Sequence, residues 1–455
     1  MEFNFKKANL IDVYTELAKL NFDFLKNLNN IHDAVTMCYD TKHPILRKCV
    51  PTKKKPAGNY PVWYNRNIIN LIKQKYKFWL QFKKTNCVIA HENFKALRRD
   101  IKKLVKDAYL IYMRNVSANV KNDPKRFWGF IKAKNNISSV PTTMSYKENA
   151  LNSPQNIVET FADFFKTAFN ISNSVQNYDY NSSNDPSIDY LNIENFDEEI
   201  VFKAMRKLKP TMTAGPDLIP SFLVKDCATI LAKPVTILFN IILRTSTFPD
   251  VWKQSRITPI YKNGDRSNVT NYRPITIINN LAKVFEHVLH ILIYPHVSNM
   301  ITDSQHGFVK GRSTVTNLVL KTQYLSEVLD EQGQVDCIYT DFSRAFDRID
   351  HRLMLIKLKY FGFSDHLITL INSYLLGRTQ YVFLNGYRSK WYEQLSGVPQ
   401  GSVLGPLLFN MFINDITLHL TAKCLIYADD LKIFLQIRNW SDCLNFQRNL
   451  NTYIK

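Results

Sequence analysis

The chain has 455 residues, 45% of them hydrophobic, and its 59 Lys and Arg exceed its 39 Asp and Glu to leave a formal charge of +20. That length exceeds one ordinary core and that apolar content exceeds what a disordered chain carries, so two or three folded units are expected. The seven cysteines are odd in number and include no CxxC, which speaks against a disulfide framework or zinc ribbon and for a reducing, intracellular compartment, nucleus or cytoplasm.

The first residues, MEFNFKKANLIDVY, lack the apolar core of a signal peptide. No apolar run is expected to reach the roughly 18 residues of a membrane span. The richest, Val235 to Leu243, is broken by Asn240 and preceded by Lys233-Pro234. Positive charge concentrates in residues 51–140, with 21 Lys and Arg against 4 Asp and Glu. Such an excess asks for a polyanion, and nucleic acid is the commonest. A membrane surface is the rival, but the aromatic residues there are needed for a core, so no membrane partner is expected. Lys53-Lys54-Lys55 is read as a solvated charge run rather than a nuclear signal.

Residues 64–115 predict two basic helices. In the second, Phe94, Leu97, Ile101, Leu104, Ala108 and Ile111 recur every three or four residues and make one face. Arg98, Arg99, Lys102, Lys103 and Lys106 fall on the other faces, where they would meet phosphates or simply solvent. Asp123 and Pro124 cap and open a further helix, anchored by Phe127, Trp128 and Ile131. Ser153-Pro154 opens another, with Ile157, Phe161, Phe164 and Phe165. Residues 170–190, rich in Asn, Ser and Asp, read as a linker or mobile loop. His287 and His290 have no further ligands in reach of the spacing and read as a core or surface pair, not a metal site.

From Asp197 onward the patterning is continuous. Residues 335–342, VDCIYTDF, form a β-rich run that ends at Asp341, and helical patterns follow at His351–Phe361, His366–Leu376 and Val403–Ile416. Residues 423–436 read as a hairpin, with strands Cys424–Tyr427 and Leu431–Leu435 around Ala428-Asp429-Asp430. Strands interleaved with helices indicate an α+β sheet domain. Apolar strands rarely end in unpaired acids. If these strands are neighbours, Asp341, Asp429 and Asp430 converge at one sheet edge, which costs free energy unless the carboxylates are protonated or bind cations. Oxygen donors with open positions suit Mg²⁺, and a pair of such ions serves phosphoryl transfer.

In chain order, KLKPTMTAGPDLIP (207–220), FPDVWKQSRITPIYKNGD (248–265), NYRPITIINNLAKVFE (271–286), QHGFVKGRST (305–314), YTDFSRAFDRIDH (339–351), SGVPQGSVLGPLLFNMFINDI (396–416) and YADDLKIF (427–434) resemble the reverse transcriptases of non-LTR, LINE-type retrotransposons, the jockey-like group in particular. DVYTEL (12–17), YPVWYNRNIINLIKQK (60–75) and NDPKRFWGFI (122–131) resemble the region that precedes that polymerase. The resemblance implies the fingers and palm of a right-hand polymerase, the palm an antiparallel sheet backed by helices, preceded by a basic helical extension. It implies an RNA template, a DNA primer, dNTPs, two Mg²⁺ ions or Mn²⁺ in their place, and no small-molecule cofactor.

Position by position, it makes Asp341 and Asp429 metal ligands, with the main-chain carbonyl of Phe342 beside them and Asp430 as the supporting carboxylate. Phe346 would lie under the incoming sugar and exclude a 2′-hydroxyl, or serve as a core aromatic. Lys262 and Arg273 would meet the triphosphate, and Gln400-Gly401 would approach template and nucleotide, with Ser402 opening the next helix. The units expected are a basic extension over 1–139, a helix and linker over 140–195, and a polymerase domain over 196–455. Within the last, 196–334 are fingers, 335–440 palm and 441–455 a truncated helix. The family's endonuclease and thumb are not seen, so a fragment is expected. The alternative is a catalytically silent RNA-binding remnant.

Overall fold

The computed structural model describes residues 3–52, 60–118, 120, 124–134, 140–169 and 190–454. Two compact units are present, one made of Met1–Thr52 and Thr142–Lys455, the other of Lys53–Pro141. The expected single extension over 1–139 is therefore redrawn. Its first part, with α1 (Leu10–Ala18) and α2 (Ile31–Cys49), belongs to the larger unit. The reason is apolar burial: Val13, Leu17, Leu25, Ile31, Val35 and Leu46 all join the main core. Asn9 and Asn30 cap the two helices by accepting from Ile11 and His32 N–H.

The smaller unit holds α3 (Arg66–Thr85), α4 (Val88–Ala118) and α5 (Pro124–Lys134). Asn86, at φ 51°, ends α3 in the left-handed conformation and reverses the chain into α4. Trp79 meets Phe94 at 5.0 Å and Phe82 stacks on His91 at 4.3 Å, so the aromatic residues are spent on packing the hairpin. Ile101 is buried as expected, but Ile111 is 59% exposed. In α5 the anchor is Phe130, which is buried, with Phe127 and Ile131 half-buried; Trp128, expected to anchor, is 59% exposed. Asp123 and Lys53-Lys54-Lys55 lie outside the described residues, as do 170–189 of the expected linker.

The larger unit continues with β1 (Met144–Tyr146), β2 (Asn149–Leu151), α6 (Pro154–Lys166), α7 (Glu198–Lys207), α8 (Ser221–Asp226), α9 (Ala228–Thr245) and α10 (Asp250–Lys253). Next come β3 (Gln254–Tyr261), β4 (Tyr272–Ile277), α11 (Asn280–Ser298), α12 (Thr314–Asp330), β5 (Gln334–Asp341), α13 (His351–Tyr360) and α14 (Asp365–Leu375). The chain then forms β6 (Arg378–Leu384), β7 (Tyr387–Arg388), β8 (Tyr392–Gln394), α15 (Gly405–Ile413), β9 (Lys423–Tyr427), β10 (Asp430–Ile437) and α16 (Trp440–Ile454). The α+β class is thus observed. An antiparallel three-stranded sheet runs in the order β5-β10-β9. A second sheet runs β4-β3-β6-β7, with β8 also on β6 and β3 parallel to β6. Strand β6, which the sequence grouped with the palm and which carries β7 and β8, therefore pairs with β3, grouped as fingers.

One exclusion is corrected. Helix α9 spans 18 residues of mean hydropathy 1.4, long and apolar enough to cross a membrane by length and composition. Most of it is buried in the core, and the side chain of Asn240, which seemed to break the run, accepts from Phe196 N–H at 2.7 Å and donates to its carbonyl at 3.1 Å.

The motif around Asp217 is structural. The Tyr39 hydroxyl of α2 donates to the Asp217 carboxylate at 3.0 Å and accepts from Trp252 Nε1 at 3.0 Å. Burial pushes the Asp217 carboxyl up to about 6, against the lowering pull of its hydrogen bonds from Ile219 and Tyr39 and of Lys42. Folded Asp217 thus holds its proton more tightly than the unfolded chain does. Its contribution to stability is complete below the ordinary value of 3.8 and is lost as pH rises through about 6. Comparing urea midpoints of the parent and Asp217→Asn at pH 7.5 and pH 5 tests this. The parent should gain on the variant as pH falls, and a constant difference would show that Asp217 keeps its charge.

Candidate active site

The alternation of apolar and polar residues puts Ile426, Leu431 and Ile433 into a small core with Ala422 and Phe446, and α16 supplies that phenylalanine. The register pairs Asp430 with Asp341 on one side and with Tyr427 on the other. Ala428 and Asp429 are then the two residues of the hairpin turn, with Ala428 at φ 57°. The acids that the sequence placed on separate strands therefore stand at one sheet edge.

That turn is clamped from below by residues 305–307. Gln305 is 1% exposed. Its Oε1 accepts from Gly307 N–H at 2.7 Å and Ala428 N–H at 3.0 Å, and its Nε2 donates to the Ala428 carbonyl at 3.3 Å. His306 N–H donates to the Ile426 carbonyl at 2.8 Å. A Cβ on Gly307 would stand 2.2 Å from the Ala428 nitrogen, so only glycine lets the two backbones meet.

Above the turn lies a cleft of about 420 Å³ whose walls include Asp341, Phe342, Phe346, Lys262, Arg273, Gln400 and Asp429. Lys262 and Arg273 come from the β3–β4 hairpin. Ile260 is paired with Arg273, and Lys262 follows two residues on, so both cations share one face. Lys262 N–H donates to the Asn271 carbonyl at 2.9 Å and closes the hairpin. Phe346 sits in a short turn after β5 and stacks on Phe409 of α15 at 4.5 Å. It is half-buried and lines the cleft, so it packs on the core and also faces the cleft. The loop 396–398 grips this turn. Ser396 Oγ donates to the Asp347 carbonyl at 2.6 Å, Val398 N–H donates to the Phe346 carbonyl at 2.8 Å, and a Cβ on Gly397 would strike the Phe346 oxygen at 2.4 Å. The Gln400 carbonyl accepts from Thr276 N–H at 2.9 Å, and Gly401, at φ 118°, presses against the Thr276 carbonyl.

The electrostatics follow from this crowding. Asp429 is raised by burial and then by the charges of Asp430 and Asp341, with Arg273 opposing. Asp347, also in the cleft wall, is pushed up to about 6 by burial, against Arg344 and Arg348. Carboxylates crowded at one edge are a place that a bound cation would stabilise. Among the described residues no three His, Cys, Asp or Glu side chains form a ready-made metal cage. The cleft instead offers the carboxylates of Asp341 and Asp429, with Asp347 nearby in its wall, oxygen donors of the kind Mg²⁺ takes when phosphates and water complete its shell.

Seven of the expected site residues thus meet in one cleft. Asp430 is exposed beside Asp341 and Gly401 lies behind Gln400; neither lines the cleft. Arg98, Arg99, Lys102, Lys103 and Lys106 are exposed on α4 of the smaller unit, and among the described residues none of them forms an ion pair. The sequence did not foresee Phe164 and Phe165 of α6 in the cleft wall, nor Arg344, which holds φ 55° and lies over the Phe164 ring at 4.7 Å. Nor did it assign a role to Gln305 and Gly307, whose only signal was the motif QHGFVKGRST in which they stand.

Residues 260–452 match the family model described as reverse transcriptase (RNA-dependent DNA polymerase). The chain is 30% identical over 269 residues to the "Probable RNA-directed DNA polymerase from transposon BS" of Drosophila melanogaster, covering 56% of this chain and 29% of that protein. It is 30% identical over 224 residues to the "RNA-directed DNA polymerase from mobile element jockey" of the same species, covering 49% of this chain and 24% of that one. Residues 260–452 thus carry a reverse transcriptase domain, and the relatives it matches are of the jockey-like, non-LTR kind. That family generally uses divalent metal ions. The chain spans between 24% and 29% of the length of these relatives. Among solved structures, this chain is similar to apo telomerase from Candida tropicalis truncated from its C-terminal domain. The likeness covers 44% of this chain and 46% of that one at 13% identity, and its TM-score of 0.32 is too low to bear on the fold.

Proposed function

We propose that this chain is an RNA-directed DNA polymerase that transfers nucleotides from dNTPs to a primer 3′-hydroxyl. The observation that carries this is the single cleft lined together by Asp341, Asp429, Lys262 and Arg273. Two Mg²⁺ ions held by Asp341 and Asp429, with the Phe342 carbonyl alongside, would supply the charge that stabilises attack on the α-phosphate and departure of pyrophosphate. Lys262 as a point charge and Arg273 as a planar fork would bind the triphosphate oxygens. Phe346, its ring stacked on Phe409, would lie against the sugar and would exclude a 2′-hydroxyl there. Gln400, braced by Thr276, would face template and nucleotide. Seven free thiols suit work in a reducing compartment.

Extension of a labelled DNA primer on an RNA template, with Mg²⁺ and four dNTPs, tests the proposal. Products that vanish with a chelator are expected, and no extension of any primer would refute it.

The smaller unit would hold the RNA through α4. Replacing Arg98, Arg99, Lys102, Lys103 and Lys106 with Gln should weaken RNA binding and flatten its salt dependence. The slope of log K against log salt should fall by about 0.7–0.9 for each phosphate contact removed. Equal slopes for parent and variant would mean that these charges face only water.

A further inference from the structure

Glu286 has no exposed surface and stands on α11, behind the cleft rather than in its wall. Its Oε2 accepts from the backbone N–H of Val403 at 2.5 Å and of Leu404 at 3.3 Å, and its Oε1 accepts from the Tyr374 hydroxyl at 3.0 Å. The same hydroxyl is hydrogen-bonded to Ser402. Arg378, 2% exposed, balances the charge and donates through Nη1 to the Tyr374 carbonyl at 2.9 Å. Burial raises the Glu286 carboxyl, opposed by the Val403 N–H, Arg378, Tyr374 and the Leu404 N–H. A carboxylate this deep is costly unless its bonds are kept. Here two of them go to Val403 and Leu404, at the entrance to α15, whose first N–H groups have no partner within the helix.

Both neighbours of that entrance reach the cleft. On one side is Gln400-Gly401, seated on Thr276. On the other, α15 carries Phe409, on which Phe346 stacks. We infer that Glu286 is a positioning residue for nucleotide selection: its carboxylate fixes the start of α15 and so holds Gln400 and Phe346 at the separation that admits a deoxynucleotide. The inference rests on the polymerase reading for its consequence, but not for its geometry.

Glu286→Gln tests it, with Tyr374→Phe as a milder variant that removes one bond, and two readouts separate the cases. The first is amide exchange. Val403, Leu404 and Thr276 should exchange at least about tenfold faster in Glu286→Gln, the scale of losing a hydrogen bond to a charged group. The second is steady-state incorporation. The KM for dNTP should rise about tenfold while kcat changes by less than about threefold, and discrimination against ribonucleotides should fall. A lower urea midpoint with unchanged KM, discrimination and local exchange would reduce Glu286 to a structural residue and overturn the inference. If the parent extends no primer, the polymerase reading fails, and exchange at 403–404 still decides the positioning. If Glu286→Gln does not fold, Tyr374→Phe decides by the same two readouts.

Discussion

Asp341→Asn and Asp429→Asn should each abolish primer extension, by about a thousandfold or more, while the fold is kept and even slightly strengthened. Asp341 ends β5 and is exposed, and Asp429 is half-buried in the two-residue turn; neither side chain supports the core. What they share is unrelieved charge. Asp430 stands directly across from Asp341, and Asp429 is raised by burial and by both neighbours. Like charges directly opposed in a sheet cost about 0.2–1 kcal/mol. Removing one should therefore raise the urea midpoint in metal-free buffer, by an amount on that scale, as the chemistry is lost. A stability gain paired with an activity loss is what a site organised for charge, rather than for folding, predicts. Extension rates on an RNA template and denaturation curves of the same preparations check both halves. A variant that extends primers at the parent rate would remove that aspartate from the site.

Gly307→Ala should come next in size, although Gly307 is absent from the cleft wall. A Cβ there meets the Ala428 nitrogen at 2.2 Å, and that atom is backbone, unable to swing aside. The turn is also held by Gln305, which bonds both Gly307 and Ala428, and by Asn410, whose Nδ2 donates to the Gly307 carbonyl at 2.9 Å. Relief by a shift of the turn would carry Asp429 with it. A displacement of about 1 Å in a reacting geometry costs about a hundredfold in rate. Overpacking of this kind costs about 1–3 kcal/mol in stability. The expected result is a kcat reduced about a hundredfold, with template–primer affinity unchanged because no nucleic-acid contact is altered. Measuring kcat and the dissociation constant side by side separates these. A fully active Gly307→Ala would show that the turn is not braced from below.

The difference between these two predictions marks what the sequence made legible. Asp341, Asp429 and Asp430 stand out because apolar runs of period two lead straight into them, and the register of β5 with β10 follows from the same alternation. The roles of Lys262, Arg273, Phe346 and Gln400 were legible only through resemblance, and the cleft that unites five separate segments gives them a common geometry. Gly307, Gln305 and Glu286 stand in the motifs that carry the resemblance, but no local pattern revealed their roles, since their meaning is a contact. Gly307 acts on Ala428, and Glu286 on Val403, 117 residues away. The first 52 residues were misgrouped for the same reason: Tyr39 finds its partner in Asp217, 178 residues on. The wall formed by Phe164 and Phe165 was hidden because a helix next to an Asn- and Ser-rich stretch gives no hint of which sheet it covers.

The central claim is that this cleft copies a template, and single-nucleotide incorporation tests it most directly. Four RNA templates that differ only in the first unpaired base are annealed to one DNA primer, and each dNTP is offered alone with Mg²⁺. The account predicts that every template selects its complementary dNTP and that Asp341→Asn adds none. Addition that ignores the template base, or none with any template, would contradict it.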